Sequence, residues 1–484
     1  MINYKIVAKI LGILLFLEAT LLLGCSLFPV CYGESDLVPF LVSAGITLAI
    51  GLVLFILGRG ADKKMNRKDG YIIVTFSWLL FTALGMLPLL FGRYTESVAN
   101  AFFEIMSGFT TTGATVLNNI ESLPHGILFW RSLTQWFGGL GIVFFTIAVL
   151  PIFGSGGMKM FAAETTGPTH SKLHPRLDVT GKWIWTIYLI ITLTHTALLV
   201  AGDMPWFDSI CTAMSTAATG GYSVKQSSLM AYNSPYIEYI TTLFMLISGV
   251  NYTLLYVAIL KRRPVRLLKD TEFRWYVGSY TVFTLFITVA LLVGTPMGLE
   301  ESFRLASFQV ATAQTTTGFG TADYMLWPSC TWLVLCLAMI VGACAGSTTG
   351  AIKCIRLAML FKIVRNQFRH MLHPNAVLPL RINGVVIPGE IKATLLAFFF
   401  TYMAILFVGW VFMLTMGVGF MEGFGITVSS LGNVGPGLGN CGPAYSWNHL
   451  PDAAKWGCSF LMLIGRLELF SVLLLFSPSF WKKH

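Results

Sequence analysis

The stretch SGFTTTGATV, from Ser107 to Val116, carries five hydroxyl side chains and two glycines inside a strongly apolar part of the chain. The apolar run that leads into it, ANAFFEIMSGFT (99–110), is twelve residues long. A helix of that length rises about 18 Å, whereas the hydrocarbon core of a membrane is about 30 Å thick. The pattern therefore predicts a short helix that enters a membrane and a polar segment that returns to the same side.

The whole chain has the composition of a membrane protein. Of its 484 residues, 55% are hydrophobic and 11% are charged, which is more apolar surface than one water-soluble core can bury. The first apolar run is too long for a signal peptide and lacks a small-residue cleavage pattern, so we expect it to be retained. Runs long enough to cross a bilayer predict ten spans: Ile6–Pro29, Leu37–Leu57, Tyr71–Phe91, Ile127–Ile152, Trp183–Val200, Tyr239–Leu260, Trp275–Val293, Cys330–Ala345 with its continuation, Ile391–Val418 and Trp456–Phe480.

The net charge of +10 is concentrated in the loops between the predicted spans, so it does not indicate nucleic-acid binding. Loops on the other side, such as CYGESD (31–36), are short and neutral or acidic. By the positive-inside rule, the basic loops and both termini are expected in the cytoplasm, which an even number of spans allows. The basic clusters are Arg59–Lys68, Lys159–Lys182, Lys261–Arg274, Lys353–Arg381 and the closing WKKH (481–484).

The sequence contains no motif of a common enzyme class. The nine cysteines form no CxxC pair, so neither a zinc motif nor a redox motif is predicted. GxSxG, HExxH, Walker A and post-strand Rossmann glycine patterns are also missing. We therefore expect a chain that is not an enzyme and that carries no cofactor.

An internal repeat gives SGFTTTGATV its context. Three similar stretches, STAATGGYSV (215–224), AQTTTGFGTAD (313–323) and SSLGNVGPGLG (429–439), follow at spacings of about a hundred residues. Each repeat has a spanning helix, a short apolar run, a glycine-containing segment and another span. The predicted division is two extra N-terminal helices in 1–58, repeat 1 in 71–154, repeat 2 in 182–262, repeat 3 in 272–369 and repeat 4 in 390–484.

The glycine segments predict one shared pore. Irregular backbone at membrane depth must be buried in protein or line a wet cavity, and glycine lets consecutive carbonyls turn towards one axis. A ring of carbonyls can replace the water around a cation, although small residues can also serve only close helix packing. Because the fourth segment has no threonine, we expect carbonyls to select the ion. The predicted filter residues are Thr111, Thr112, Gly113, Ala218, Thr219, Gly220, Thr316, Thr317, Gly318, Asn433, Val434 and Gly435.

Two further features predict a gate. Arg466 lies near the middle of the last predicted span, where a charge costs about 2.5–3.5 kcal/mol on insertion scales. Its neighbour Glu468 is two positions along and does not share its helix face, so either another helix or backbone carbonyls must serve Arg466. The stretch 342–353 interrupts the second helix of repeat 3 and is expected to form an intramembrane loop below the filter, or alternatively a kinked helix. The predicted gate residues are Gly342, Gly346, Ser347, Thr348, Thr349, Gly350, Lys353 and Arg466.

Carboxylates occur at or near the starts of three short apolar runs: Asp208, Glu301 and Glu422. A carboxylate at a helix N-terminus meets the positive end of the helix dipole. These residues are expected either to cap the helices or to concentrate cations before the filter. Glu104 lies further into its run, and the sequence assigns it no role.

These residues resemble a known family. The four glycine segments, WRSLTQWFGGLGIVF (130–144), GACAGSTTGAIKCIR (342–356), GRLELF (465–470) and the leading helix pair are similar to the Trk/Ktr/HKT superfamily of potassium transporters, most of all to its bacterial TrkH type. The resemblance covers the whole chain. It implies an all-α polytopic membrane protein with four membrane-pore-membrane repeats in pseudo-fourfold arrangement around one pore.

The resemblance also implies the function and the partners. It implies potassium uptake across the bacterial inner membrane by a homodimer that sits on cytoplasmic, nucleotide-binding TrkA subunits, with an intramembrane loop as gate. Glycine rather than serine at position 113 implies potassium rather than sodium. An ion-coupled symporter, driven by protons or sodium, stays open as the alternative. Such coupling would be expected to use buried Asp, Glu or His, and few of these lie inside the predicted spans beyond Glu18, His195 and Glu468.

Overall fold

A computed structural model of the chain describes residues 2–61, 65–139, 141 and 177–482. Within this part, six helices are long and apolar enough to cross a membrane, and two pairs of sharply bent helices raise the number of candidate spans to eight. The second half of the predicted span Ile127–Ile152 and most of the basic loop at 159–182 lie outside the described residues. The six long spans are Tyr4–Tyr32, Leu37–Leu57, Arg67–Phe91, Gly181–Ala201, Thr271–Gly294 and Gly389–Thr415.

The first two helices, Tyr4–Cys25 and Leu37–Leu57, form a hairpin with a short helix, Leu27–Tyr32, at its turn. Small residues bring the two backbones together, since a Cβ added to Gly12 would lie 2.7 Å from the carbonyl oxygen of Gly51. The first helix also packs against Arg67–Gly85, the helix that opens repeat 1. The hairpin is thus an addition at the edge of the repeats.

Each repeat begins with a spanning helix and continues with a short helix, named here short helix 1 to 4. The short helices are 12 to 16 residues long, which gives them a rise of about 18–24 Å and makes them too short to span. After their exposed first turns they are almost wholly buried, in contrast to the long spans around them. Short helices 1 to 4 are Val98–Phe109, Trp206–Ala218, Leu299–Gln314 and Phe420–Gly432, and they follow the spans Arg67–Phe91, Leu177–Ala201, Thr271–Gly294 and Gly389–Thr415.

Within the described residues, the helix that closes the repeat is interrupted in repeats 2, 3 and 4, whereas the sequence predicted an interruption only in repeat 3. In repeat 2 the chain bends by 104° after Ser248, where Asn251 accepts hydrogen bonds from two backbone N–H groups and begins a new helix. In repeat 4 it bends by 111° at Glu468 and Leu469, which both have positive φ. The closing helices are His125–Gly139, Pro235–Ser248 with Tyr252–Ile259, Ser329–Val341 with Cys354–Leu372, and Asp452–Arg466 with Phe470–Leu473.

The prediction of an all-α polytopic membrane protein is confirmed, with one small addition. An antiparallel pair of two-residue strands, Arg381–Ile382 and Val385–Val386, lies in the loop between repeats 3 and 4. The remaining short elements connect the larger ones and are Leu87–Phe91, Pro264–Lys269, Pro478–Trp481 and the 3₁₀ turns Ile120–Ser122, Ser228–Tyr232, Tyr324–Leu326, Gly439–Cys441 and Leu474–Phe476.

Candidate ion pathway

The backbone takes the same unusual path after each short helix. One residue has a left-handed φ of 53° to 54°, and the second residue after it is a glycine with a φ between 79° and 108°. Between these two, a backbone N–H donates to the carbonyl five residues earlier at 2.8–3.0 Å. The four segments with this geometry are named strips 1 to 4: Thr110–Gly113, Ala218–Gly221, Thr315–Gly318 and Gly432–Gly435.

This geometry shifts the predicted register of strip 2 by one residue. The N–H groups of Thr112 and Gly220 make the same bond, to the carbonyls of Ser107 and Ser215. Gly220 therefore corresponds to Thr112, and Gly221, with a φ of 79°, corresponds to Gly113. The predicted trio Ala218, Thr219 and Gly220 lies one residue too early because strip 2 has two consecutive glycines, and the Thr-Gly pair matched the first of them.

The four strips form a closed ring. At each strip the last glycine lies against a carbonyl oxygen of the following strip, so closely that any side chain would collide with that oxygen. A Cβ added to Gly113 would lie 2.1 Å from the carbonyl oxygen of Gly220, and one added to Gly221 would lie 2.0 Å from that of Thr317. A Cβ added to Gly318 would lie 2.2 Å from the carbonyl oxygen of Val434, and one added to Gly435 would lie 2.7 Å from that of Thr112. The last contact returns to strip 1, so the order around the axis is the order along the chain.

The same four glycines line one cavity that opens away from the ring. Its wall continues through residues that follow the strips, including Tyr222, Pro436 and Trp447. The cavity lies on the side to which the chain returns after each short helix. It therefore adjoins the ring on that side.

Side chains hold the strips from outside the ring. Gln135 donates from Nε2 to the carbonyl of Gly220 at 2.7 Å and accepts from the N–H of Tyr222 at 3.0 Å. Asn433 donates to the Thr112 hydroxyl at 3.0 Å and to the carbonyl of Met462 at 2.9 Å. The Thr112 hydroxyl is thus engaged by another strip, which leaves the backbone carbonyls as the groups that all four strips share.

A buried ion pair that the sequence did not predict stands behind strips 1 and 2. Arg131 donates from Nε to Glu104 at 2.9 Å, and both side chains are at most 1% exposed. Glu104 also accepts from the Val116 N–H at 2.9 Å, and Arg131 donates to the carbonyl of Ser223 at 3.1 Å. The guanidinium lies over the Tyr222 ring, 4.2 Å from its centroid. The pair therefore links the segments that follow strips 1 and 2. In the sequence, the only indication of such a pair was the charge of Glu104 within an apolar run.

The stretch 342–353 lies directly beneath the strips. The Thr348 hydroxyl donates to the carbonyl of Ala217 at 3.1 Å, and the Gly350 N–H donates to the Thr316 hydroxyl at 2.9 Å. A Cβ added to Gly350 would lie 2.3 Å from the carbonyl oxygen of Gly432. The loop thus touches three of the four strips or the helices that lead into them.

Within this loop, hydroxyls and glycines shape the backbone. Ser347 shares a hydrogen bond of 2.7 Å with Thr349, and Gly342 and Gly346 have φ values of 70° and 74°. Glu272 accepts from the N–H of Ala345 and so ties the loop to the first span of repeat 3. The stretch is therefore an ordered loop and not a kinked helix.

Arg466 binds this loop through a backbone carbonyl, one of the two kinds of partner left open by the sequence. It donates to the carbonyl of Thr348 at 2.6 Å and to that of Gly138 at 2.7 Å. Glu468 instead pairs with Arg356 and, at 3.8 Å, with Lys353 at the end of the loop. Arg466 is the last residue of the helix Asp452–Arg466 and so lies at the bend within the last candidate span.

The predicted mouth carboxylates all lie in first turns of short helices. Asp208, Glu301 and Glu422 belong to the first turns of short helices 2, 3 and 4. Asp208 accepts from the Tyr232 hydroxyl at 2.7 Å. Burial and this carboxylate raise the pKa of Tyr232, so its hydroxyl stays protonated and continues to donate.

The chain is similar to a known family of proteins over almost its whole length. The family model TrkH, a cation transport protein, matches residues 40–483. The chain is 35% identical to the Trk system potassium uptake protein TrkH of Halomonas elongata and 34% identical to that of Escherichia coli K12, in both cases over 99% of this chain and 100% of the relative. The crystal structure of the potassium transporter TrkH from Vibrio parahaemolyticus superposes with a TM-score of 0.90 at 32% identity, covering 99% of this chain and 100% of that one.

Proposed function

Because the chain belongs to the TrkH family of cation transport proteins, we propose that it takes up potassium across the bacterial inner membrane through the ring of strip carbonyls. The observation that carries this proposal is the closure of the ring. Four glycines with positive φ each lie against a carbonyl of the next strip. A closed ring of inward carbonyls supplies oxygen ligands on all sides of a dehydrated cation.

The proposed filter consists of the strips in the register of the backbone. Its residues are those predicted from the sequence, with Gly221 in place of Ala218. In strip 4 the valine at position 434 takes the place of a threonine without any change in the backbone bond that closes the strip. This favours selection by carbonyls over selection by hydroxyls.

The proposed gate is the loop 342–353 together with Arg466. The loop lies below the ring, on the side opposite the open cavity, so an ion leaving the ring must pass it. Arg466 places a fixed positive charge beside this path, holds the loop by a hydrogen bond to the Thr348 carbonyl and also donates to the carbonyl of Gly138, outside the loop. Opening requires these bonds to break, which gives a regulator a defined set of contacts to shift.

The regulator that we propose is a cytoplasmic, nucleotide-binding TrkA subunit, bound to a homodimer of this chain. Both termini and the basic loops are proposed to face the cytoplasm. The exposed helix Cys354–Leu372 connects the loop to that side and carries Arg365 and Arg369 on its outer turns. A movement of this helix would pull directly on Lys353, at the end of the loop.

Ion-coupled symport is the second candidate, and one observation favours it. The Glu18 carboxyl is 1% exposed in the first span, and neither oxygen has a hydrogen-bond partner within the described residues. Buried ionisable groups in spans commonly belong to proton relays. Potassium uptake by proteoliposomes would then depend on a proton gradient and would lose that dependence in Glu18→Gln.

Flux measurements test the proposed function. Proteoliposomes with the purified protein are expected to take up potassium in preference to sodium. Gly113→Ser should reduce this preference, because its Cβ would lie 2.1 Å from the Gly220 oxygen. Equal selectivity in the variant and the wild type, at equal protein content, would show that the ring does not select the ion.

A further inference from the structure

Glu422, Cys441 and His449 converge at the start of short helix 4, although no sequence motif joins them. Their donor atoms lie within 4.8 Å of one another, a grouping found among the residues that the structure describes. The Glu422 Oε1 atom is 2.7 Å from His449 Nε2 and 3.5 Å from Cys441 Sγ, and these last two atoms are 3.8 Å apart. Three different donor types thus face one point.

The residues come from three elements that the fold brings together. Glu422 lies in the first turn of short helix 4, Cys441 ends the 3₁₀ turn Gly439–Cys441, and His449 lies in the loop before Asp452–Arg466. Cys441 is fully buried, while the His449 side chain is 43% exposed. The thiol therefore forms the floor of the group, and the imidazole borders solvent, which leaves a route by which an ion can enter.

The histidine is oriented as a ligand. Its Nδ1 atom lies 3.2 Å from the carbonyl oxygen of Ser446, and because a carbonyl can only accept, Nδ1 carries the hydrogen of this bond. The lone pair of Nε2 in the neutral ring then points at the Glu422 carboxylate. Two electron-rich groups at 2.7 Å require a cation between them, either a second proton or a metal ion. Metal-bound histidines commonly donate their other N–H to a backbone carbonyl in this way.

The separations fit a small tetrahedral ion. With Zn–S bonds of about 2.3 Å and Zn–N or Zn–O bonds of about 2.0–2.1 Å, tetrahedral ligands lie roughly 3.4–3.6 Å apart. The distances of 3.5 and 3.8 Å from Cys441 Sγ are close to these values. Only the contact between Glu422 and His449 must widen, and it joins two side chains that are at least partly exposed.

We propose that Glu422, Cys441 and His449 bind a divalent zinc ion beside the outer mouth, with a water molecule in the fourth position. Thiolate, imidazole and carboxylate together suit zinc and exclude the alkali and alkaline-earth cations, which prefer oxygen ligands alone. The ion takes the place of the thiol proton and of any proton shared by Glu422 and His449.

The position of the site links it to the filter. The N–H of Gly437, two residues after the last glycine of strip 4, donates to the carbonyl of Cys441 at 2.7 Å. The following residues, Gly442, Pro443 and Tyr445, line the cavity above the ring. A bound zinc ion would therefore join short helix 4 to the wall of that cavity.

The test is zinc binding by the purified, tag-free, full-length protein in detergent. After treatment with a chelator, isothermal titration should give about one zinc ion per chain. Cobalt(II), used as a spectroscopic probe, should give a thiolate-to-cobalt charge-transfer band and the visible bands of a tetrahedral ion. Neither readout requires potassium transport, so failure of this site leaves the proposed function untouched.

Two variants and one matched control make the result specific. Cys441→Ser and His449→Gln should each weaken zinc binding at least tenfold, and Cys441→Ser should abolish the charge-transfer band. Cys330→Ser removes an exposed cysteine outside the group and should bind zinc as the wild type does. Because His449 lies at the surface, its variant is expected to fold. The proposal would be overturned if the wild type bound no zinc, or if both variants bound zinc as tightly as the wild type.

Discussion

Gly221→Ala tests whether Gly221, as the backbone shows, or Gly220, as the sequence predicted, corresponds to Gly113. The residue has a φ of 79°, a conformation that costs an L-residue about 1–2 kcal/mol. Its new Cβ would lie 2.0 Å from the carbonyl oxygen of Thr317, whereas real Cβ atoms essentially never come within 3.0 Å of another heavy atom. The strained backbone and the displaced oxygen both belong to the ring.

The size of the effect follows from this displacement. One contact between potassium and a carbonyl, valued like a hydrogen bond to a charged group, is worth about 1.5–3 kcal/mol. Since every 1.4 kcal/mol is about a factor of ten, losing the Thr317 oxygen should weaken potassium binding by roughly tenfold to a hundredfold, which is also the upper bound on the loss of preference for potassium over sodium. The loss arises in the ring itself and not from unfolding of the spans.

The assay compares potassium and sodium uptake by proteoliposomes at equal protein content. Gly278→Ala is the matched control, because it makes the same substitution in a spanning helix where nothing lies within 4 Å of the new Cβ. Gly220→Ala tests the alternative register. Its Cβ would meet the end of the Gln135 side chain, at 2.4 Å from Cδ, and a side-chain end can turn away more easily than a ring carbonyl.

We therefore expect wild-type selectivity in Gly278→Ala, a small loss in Gly220→Ala and the large loss in Gly221→Ala. A larger loss of selectivity in Gly220→Ala than in Gly221→Ala would support the register predicted from the sequence. Unchanged selectivity in Gly221→Ala would refute the argument that these carbonyls coordinate the ion.

Three other predictions concern the supports of the ring and the gate. Glu104→Gln leaves the buried Arg131 guanidinium without its carboxylate and should lower the free energy of unfolding by about 3–5 kcal/mol, measured as a lower unfolding temperature in detergent. Adding Arg131→Met should recover part of the loss. An unchanged unfolding temperature in Glu104→Gln would contradict this role. Arg466→Ala removes the bond to the Thr348 carbonyl that holds the loop and should raise potassium flux severalfold, whereas equal flux would count against the gate. Gly350→Ala should also raise flux, because its Cβ would press on the Gly432 oxygen at 2.3 Å; flux at the wild-type level would indicate that the loop does not block the path.

Much of the local structure could be predicted from the sequence. Short helix 1 and its turn back follow from twelve apolar residues and a glycine-containing polar segment, because length and hydropathy decide whether a helix can span. The family resemblance from the same segments is confirmed by the match over residues 40–483. The interruptions of the closing helices in repeats 2 and 4 were missed, since Asn251 and Leu469 break a helix by capping and by positive φ within runs that remain apolar.

The site was predicted less completely, because its details depend on distant pairs. The register of strip 2 was read one residue early, since Thr219 is followed by two glycines and only the positive φ of Gly221 tells them apart. The partner of Glu104 is 27 residues away, and the bonds of Arg466 run to backbone carbonyls that no side-chain pattern announces. The trio around Cys441 likewise has no spacing that a zinc motif would recognise.

By itself, the sequence determined which segments are apolar enough to enter a membrane, which are too short to cross it, and where the backbone needs glycine, because hydropathy, length and φ are properties of a few consecutive residues. Only the tertiary structure decided that Gly435 returns to the oxygen of Thr112, and thus that the four strips close into one ring. It also decided that Arg466 meets Thr348. The physical reason is that such contacts join residues more than a hundred positions apart, whose distance is fixed by the packing of all four repeats around a common axis.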